Sequence, residues 1–117
     1  MIWENTFYTI KQLSTKEDGI RATVEIMEKH PIFNGHFPNE PIVPGVCTLA
    51  MIRKCLRIYY RRDLSFMKIK ECKFISVVQP EAGLTLSIDI TFLRDSAISA
   101  IVSHNEKTVI KLKATIQ

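Results

Sequence analysis

The sequence contains no apolar run approaching the ~20 residues that a membrane helix needs. Its opening, MIWENTFYTI, lacks the basic start and apolar stretch of a secretion signal. These absences predict a cytoplasmic protein with no membrane partner. The three cysteines, Cys47, Cys55 and Cys72, are odd in number and show no C-x-x-C spacing. They predict neither a disulfide framework nor a zinc site, and they read as reduced thiols. No spacing of cysteines and histidines assembles tetrahedral ligands, so neither a metal nor a cofactor is expected. Internal repeats, linkers and low-complexity segments are also missing. A chain of 117 residues has room for one core and not for two, which predicts a single domain over 1–117.

What is present is a chain 46% hydrophobic and 24% charged, with a net charge of +4. The placement of that charge is more informative than its size. Arg53, Lys54, Arg57, Arg61, Arg62, Lys68 and Lys70 lie in one short stretch with few acids among them, which predicts an acidic partner. A net charge of +4 is by itself weak evidence for nucleic acid.

Along the chain, FYTIKQL, a polar turn STKEDG and IRATVEIM read as a hairpin, with Ile20, Ala22, Val24 and Ile26 on one buried face. HPIFNGHFPNEPIVPGV holds four of the five prolines and two of the four glycines, so it predicts a long, stiff loop. Pro44 then sits where a first helical turn begins, and VCTLAMIRKCLRIYYRR follows at helical spacing. Val46, Leu49, Ile52, Leu56 and Tyr59 form its apolar stripe, and Arg53, Arg57 and Arg61 lie four apart on a solvated face. The first two turns are apolar all round, the pattern of a helix end buried in a core. MKIKECKFISVV, LTLSIDITFL, AISAIVSH and TVIKLKATI read as four further strands separated by turns at QPEAG, RDS and NEK. Two strands, one helix and an antiparallel meander make an α+β layout with one helix against a sheet.

The loop feeding the helix brings His36 toward backbone N–H groups that could receive an anion. Gly35 to Val46, GHFPNEPIVPGV, resembles the signature of the β-hydroxyacyl-acyl-carrier-protein dehydratases, in which G-H-F-P is followed by P-x-x-P-G-V. Gly35, His36, Phe37, Pro38, Pro41, Pro44, Gly45 and Val46 carry the match. KFISVVQPEAGLTLSI, with Pro80 before the turn, extends it, so the likeness runs from about Phe7 to the C-terminus.

This resemblance implies the hotdog fold, a long central helix wrapped by an antiparallel β-sheet, and a two-fold dimer as a minimum assembly. It implies a substrate that is an acyl thioester carried on acyl carrier protein. His36 matches the catalytic histidine, and a near-neutral pKa suits it to abstract the α-proton. Gly45 and Val46 match the helix start whose amides hold the thioester carbonyl. Phe33, Phe37 and Phe74 are candidates to line an acyl tunnel, and Arg53, Arg57 and Arg61 to receive the acidic carrier.

The family also carries a glutamate or aspartate at the sixth residue after the second proline of P-x-x-P-G-V, and counting from Pro44 that position is Ala50. In the family each site joins the histidine of one subunit to the carboxylate of its mate, so a homodimer would set His36 against an alanine methyl. Three readings are open. The chain is a weak or redirected dehydratase of fatty acid, polyene or polyketide biosynthesis. It is a half-site or non-catalytic subunit that binds acyl carrier protein and pairs with a paralogue still carrying the carboxylate. Or it is a hotdog thioesterase, which is disfavoured because those enzymes also rely on a helix carboxylate.

Overall fold

The computed structural model describes residues 7–27, 43 and 45–117. Among them are six strands and one helix: β1 (Tyr8–Lys16), β2 (Gly19–Ile26), α1 (Gly45–Tyr60), β3 (Phe66–Phe74), β4 (Thr85–Phe92), β5 (Ala97–His104) and β6 (Lys107–Ile116). The strands form one antiparallel sheet in the order β1-β2-β4-β5-β6-β3. One helix on an antiparallel sheet is the α+β hotdog layout that the resemblance implies.

Period-two patterning decides which sheet face meets the helix. Ile20, Ala22, Val24 and Ile26 of β2 are buried, as expected, together with Leu86, Ile88 and Ile90 of β4 and Ile98, Ala100 and Val102 of β5. β6 adds Ile110, Leu112 and Ala114. Against this surface α1 packs Cys47, Met51, Ile52, Cys55 and Leu56, all fully buried. Each large aliphatic side chain here contributes about 1.5–3 kcal/mol of transfer free energy.

Three details differ from the sequence reading. The first hairpin turn is shorter, because β1 continues through Ser14, Thr15 and Lys16 and only Glu17 and Asp18 bridge to Gly19. Side-chain bonds from Lys16 to Asp89 (2.5 Å) and Thr91 (3.0 Å) hold the end of β1 to the sheet. Gly19 admits the close approach, since a Cβ there would overlap the Ile90 carbonyl.

Second, the four strands after the helix are not a simple meander. β3 lies beside β6 rather than β4. β4 instead pairs with β2, which joins the first hairpin to the β4-β5-β6 meander. The connection over 75–84 must cross about three strand spacings, roughly 14 Å, which ten residues span easily.

Third, the buried stripe of α1 is rotated from the one expected. It runs through Cys47, Thr48, Met51, Ile52, Cys55 and Leu56, whereas Val46 is 67% exposed and Tyr59 39% exposed. The first half carries one polar residue, Thr48, whose hydroxyl is satisfied by the Gly45 carbonyl and so does not turn that face to water, and small Cys47 and flexible Met51 take the tight positions against the sheet.

Candidate active site

The candidate site is the entry to α1. Val43 is fixed just before it by donating its N–H to the Val78 carbonyl at 2.7 Å. Gly45 opens the helix beneath the ring of Phe74, and a Cβ at this position would overlap that ring. Phe74 is held there because Ile75 and Ser76 donate backbone N–H bonds to Val109 (2.8 and 3.3 Å) and the Ser76 hydroxyl donates to the Thr108 carbonyl (2.7 Å).

These elements enclose a cleft of about 270 Å³, lined by Val43, Gly45, Val46, Thr48, Phe74, Ser76, Val77 and Val109. Its walls are mostly apolar, and its two hydroxyls are committed to carbonyls, Thr48 donating to Gly45 at 2.6 Å. The remaining polarity at the helix start is the first-turn N–H groups, which have no acceptor within their own helix and lie at its positive end. No acidic residue occupies that first turn to compete for them. An apolar cleft ending on such N–H groups suits an acyl chain with a polarisable carbonyl.

The sequence-predicted residues fall into three groups. Gly45, Val46 and Phe74 come together around the cleft. His36, Phe33 and Phe37, with the GHFP half of the signature, lie outside the described residues. Ala50 is half-buried in the second turn of α1, and no described residue lining the cleft carries a carboxylate. Val77 and Val109 were not anticipated as cleft residues. A valine before a turn and one in a strand carry no functional signal, and only the β3–β6 pairing makes them a wall.

Cys47 and Cys55 do not supply a replacement acid or nucleophile. Burial pushes the Cys47 thiol up to about 11 and Cys55 to about 12, so both stay protonated and inert at neutral pH.

At the other end of α1 the arginines do not form a free row. Arg53 donates to the Leu64 carbonyl at 2.7 Å, and Arg53 and Arg57 both meet Asp63 at 3.2 Å. Arg61 adopts a left-handed conformation (φ 56°) that terminates the helix, and Arg62 lies over the Tyr60 ring at 5.6 Å. Two of the three expected carrier-contacting arginines therefore also fasten the helix end to the following loop.

A larger groove of about 360 Å³ runs over the outer sheet face past Gln12, Ser14, Arg21, Thr23, Asp89 and Ser103. Its charges neutralise each other, Arg21 meeting Asp89 at 2.9 Å, and it lies on the face opposite α1. The smaller cleft, which joins apolar walls to a helix start, is the better site.

Comparison with solved structures establishes the fold. The dehydratase heterocomplex ApeI:P from Xenorhabdus doucetiae superposes with a TM-score of 0.74 at 20% identity, covering 92% of this chain and 96% of that one. A structure of the putative thioesterase yhdA from Lactococcus lactis follows at 0.67 and 11% identity, covering 99% and 94%. Both likenesses concern the fold, a hotdog. Sequence carries the assignment further. The profile of the ApeI-like family, described as ApeI dehydratase, matches residues 12–113. The 3-hydroxyacyl-[acyl-carrier-protein] dehydratase FabZ of Halalkalibacterium halodurans is 31% identical over 114 residues, covering 88% of this chain and 81% of its own. FabZ of Caldanaerobacter subterraneus subsp. tengcongensis is 29% identical over 103 residues, with 80% and 73% covered. The chain belongs to the ApeI-like dehydratase family. Among the described residues no helix is long and apolar enough to cross a membrane.

Proposed function

We propose that this chain is one half of a (3R)-hydroxyacyl-acyl-carrier-protein dehydratase. It supplies His36 and the carbonyl-holding helix start, and it obtains the missing acid from a second hotdog chain with Glu or Asp at the position of Ala50. The observation that carries this reading is a helix-start cleft that retains Gly45 and Val46 while no carboxylate lines it among the described residues. That the solved relative is itself a heterocomplex supports a two-chain site.

The chemistry assigns the roles. His36 takes the α-proton, and the electron pair left behind forms the α,β double bond as the β-hydroxyl leaves. The thioester oxygen gathers negative charge on the way, and the Gly45 and Val46 amides receive it. The hydroxyl must accept a proton to depart as water, and that is the step for which a homodimer of this chain has no carboxylate. Losing a positioned acid slows such a step by about 10²- to 10⁴-fold.

The test is reversible hydration of an enoyl-acyl carrier protein by the purified chain, by Ala50→Glu and by His36→Ala/Ala50→Glu. Native protein near background, a gain with Ala50→Glu and its loss in the double variant are expected. Equal activity in Ala50→Glu and His36→Ala/Ala50→Glu protein would remove His36 from the mechanism. Full activity of the native homodimer would show that no second chain is needed.

A further inference from the structure

β3 ends the sheet: β6 lies on one side, and among the described residues no strand lies on the other. A free edge presents unpaired N–H and C=O groups, and lysines are a common device against unwanted pairing there. β3 has three, Lys68, Lys70 and Lys73, against one acid, Glu71. Protection alone does not account for what surrounds them. Met67, Ile69, Phe74, Ile75 and Val77 are 59%, 46%, 58%, 51% and 71% exposed, a concentration of large apolar side chains that marks a contact surface. The apolar groups favour an added strand, and the lysines restrict which strand is accepted.

We infer that β3 pairs edge to edge with a strand of a second, different chain whose edge is acidic, and that its lysines disfavour pairing with a copy of itself. This rests on the two-chain reading above and names the partner's chemistry. In a two-fold antiparallel pairing a strand meets its own copy. Three lysines and one glutamate give β3 a charge of 3 − 1 = +2, so self-pairing places 2 + 2 = +4 at the seam. Glu71 is already engaged with Lys73 at 3.1 Å. One strand further in, Lys113 and Lys111 stand opposite Glu71 and Lys73. The hydrogen bond and charge of Lys73, followed by the charges of Lys113 and Lys111, hold the Glu71 carboxyl below its usual range. Paired strands lie about 4.8 Å apart, well inside the roughly 8 Å screening length of physiological salt, so the surplus charge is felt across the seam. An acidic strand turns that repulsion into attraction and covers the same apolar fringe. The choice of partner is coupled to the site, because Phe74 and Val77 belong both to this fringe and to the cleft wall.

The test uses a charge-reversed copy of this chain as the probe partner: Lys68→Glu, Lys70→Glu, Glu71→Lys and Lys73→Glu together, with Ala50→Glu added. Native and reversed chains are mixed and their dimers counted by native mass spectrometry. With equal amounts, the ratio of mixed to self-paired dimers should exceed its statistical value of about one by roughly tenfold at low salt, the excess shrinking as salt rises. A statistical mixture, or an excess of native self-dimers, overturns the inference. The native chain alone gives a second measurement, independent of whether the reversed copy folds. Its self-association should strengthen several-fold from about 50 to 500 mM salt as repulsion is screened. A native self-dimer equally tight or tighter at low salt overturns the inference as well. Enoyl-thioester hydration by the mixture then separates the two proposals. Preferential mixed dimers without turnover refute the half-site function and leave the pairing rule standing.

Discussion

Replacing Gly45 by alanine tests how the cleft is built. The new Cβ would overlap the Phe74 ring, whose Cδ1 and Cζ lie 2.7 and 2.9 Å from the added carbon, so one of the two must move. The backbone of α1 is held by buried Cys47, Met51 and Ile52, while Phe74 is 58% exposed, so the ring is what swings outward. Burial of a whole Phe side chain contributes about 1.5–3 kcal/mol, and less than half of this ring is covered, so its displacement loses about 1 kcal/mol. Exchanging glycine for alanine at a helical position returns about 0.5–1 kcal/mol. The net change expected in urea unfolding is therefore under about 1 kcal/mol. Phe74→Ala alone loses about 1 kcal/mol, and adding Gly45→Ala to it recovers part, because the added methyl then meets no ring; this gives a coupling of about 1 kcal/mol. Function should respond more than stability. Under the half-site reading, in an Ala50→Glu background, hydration turnover should fall roughly 10- to 100-fold with Gly45→Ala, since the ring forms one wall beside the amides proposed to hold the carbonyl. A stability loss above about 3 kcal/mol, or no coupling between the two positions, would refute a yielding ring over a fixed helix start.

Three other outcomes follow from the same structure. Glu106 is held at φ 68° in the two-residue turn between β5 and β6, a conformation costing a non-glycine residue about 1–2 kcal/mol; Glu106→Gly, which creates Asn-Gly, should stabilise the fold by about 0.5–1 kcal/mol in thermal or urea unfolding. Burial alone would raise the Asp89 carboxyl, but hydrogen bonds and charge from Lys16 and Arg21 outweigh it and hold the group below its usual range. The folded carboxylate thus stays ionised below the unfolded pKa of about 3.9. Its contribution is present above that value and is lost as pH falls through the lower folded one. With the side chain 40% exposed, the deficit of Asp89→Asn should be only about 0.5–1 kcal/mol at neutral pH, and native and variant stabilities should converge in acid. Finally, alkylation of the native protein near neutral pH should modify half-buried Cys72 first, while Cys47 and Cys55 react only on unfolding. Rapid labelling of Cys47 in folded protein, read by peptide mass, would contradict a closed helix start.

The sheet was legible because burial on one face writes a period of two. Ile20 to Ile26 and Leu84 to Ile90 show it, and both runs have their core face where the alternation puts it. Strand order was not legible. Nothing in KFISVVQPEAGLTLSI distinguishes a hairpin from a crossover, and the difference depends on β4 pairing with β2, a contact some 65 residues apart in sequence. The helix phase failed for the opposite reason, since the one polar residue of its first two turns, Thr48, bonds to the Gly45 carbonyl and gives no angular information. Of the site, the signature marked the helix start at Gly45 and Val46, where α1 begins, and the count from Pro44 marked Ala50 as the position at which the resemblance expects a carboxylate. The cleft wall came from tertiary pairing alone: Val109 faces Val43 and Phe74 only because β6 lies beside β3.

Under the two-chain reading, the misplaced helix stripe becomes informative in turn. VCTLAM at the start of α1 is apolar enough for complete burial, yet Val46 stands 67% exposed beside Phe74 and Val77, at 58% and 71%. Among the described residues nothing covers this wedge, which lies between the helix start and the outer edge of β3. A second chain seated on that edge would cover the wedge and exclude water from the cleft in one step. Removal of water strengthens the attraction of the Gly45 and Val46 amides for a developing oxyanion, because the effective dielectric falls as the cleft closes. Catalysis and pairing would then share one free energy: Val46→Ser should weaken association with the charge-reversed Ala50→Glu partner by about 1–2 kcal/mol. It should lower turnover at limiting protein concentration, with turnover recovering once the partner is saturating. If turnover fell while association was unchanged, Val46 would belong to the cleft alone and closure by the second chain would be wrong.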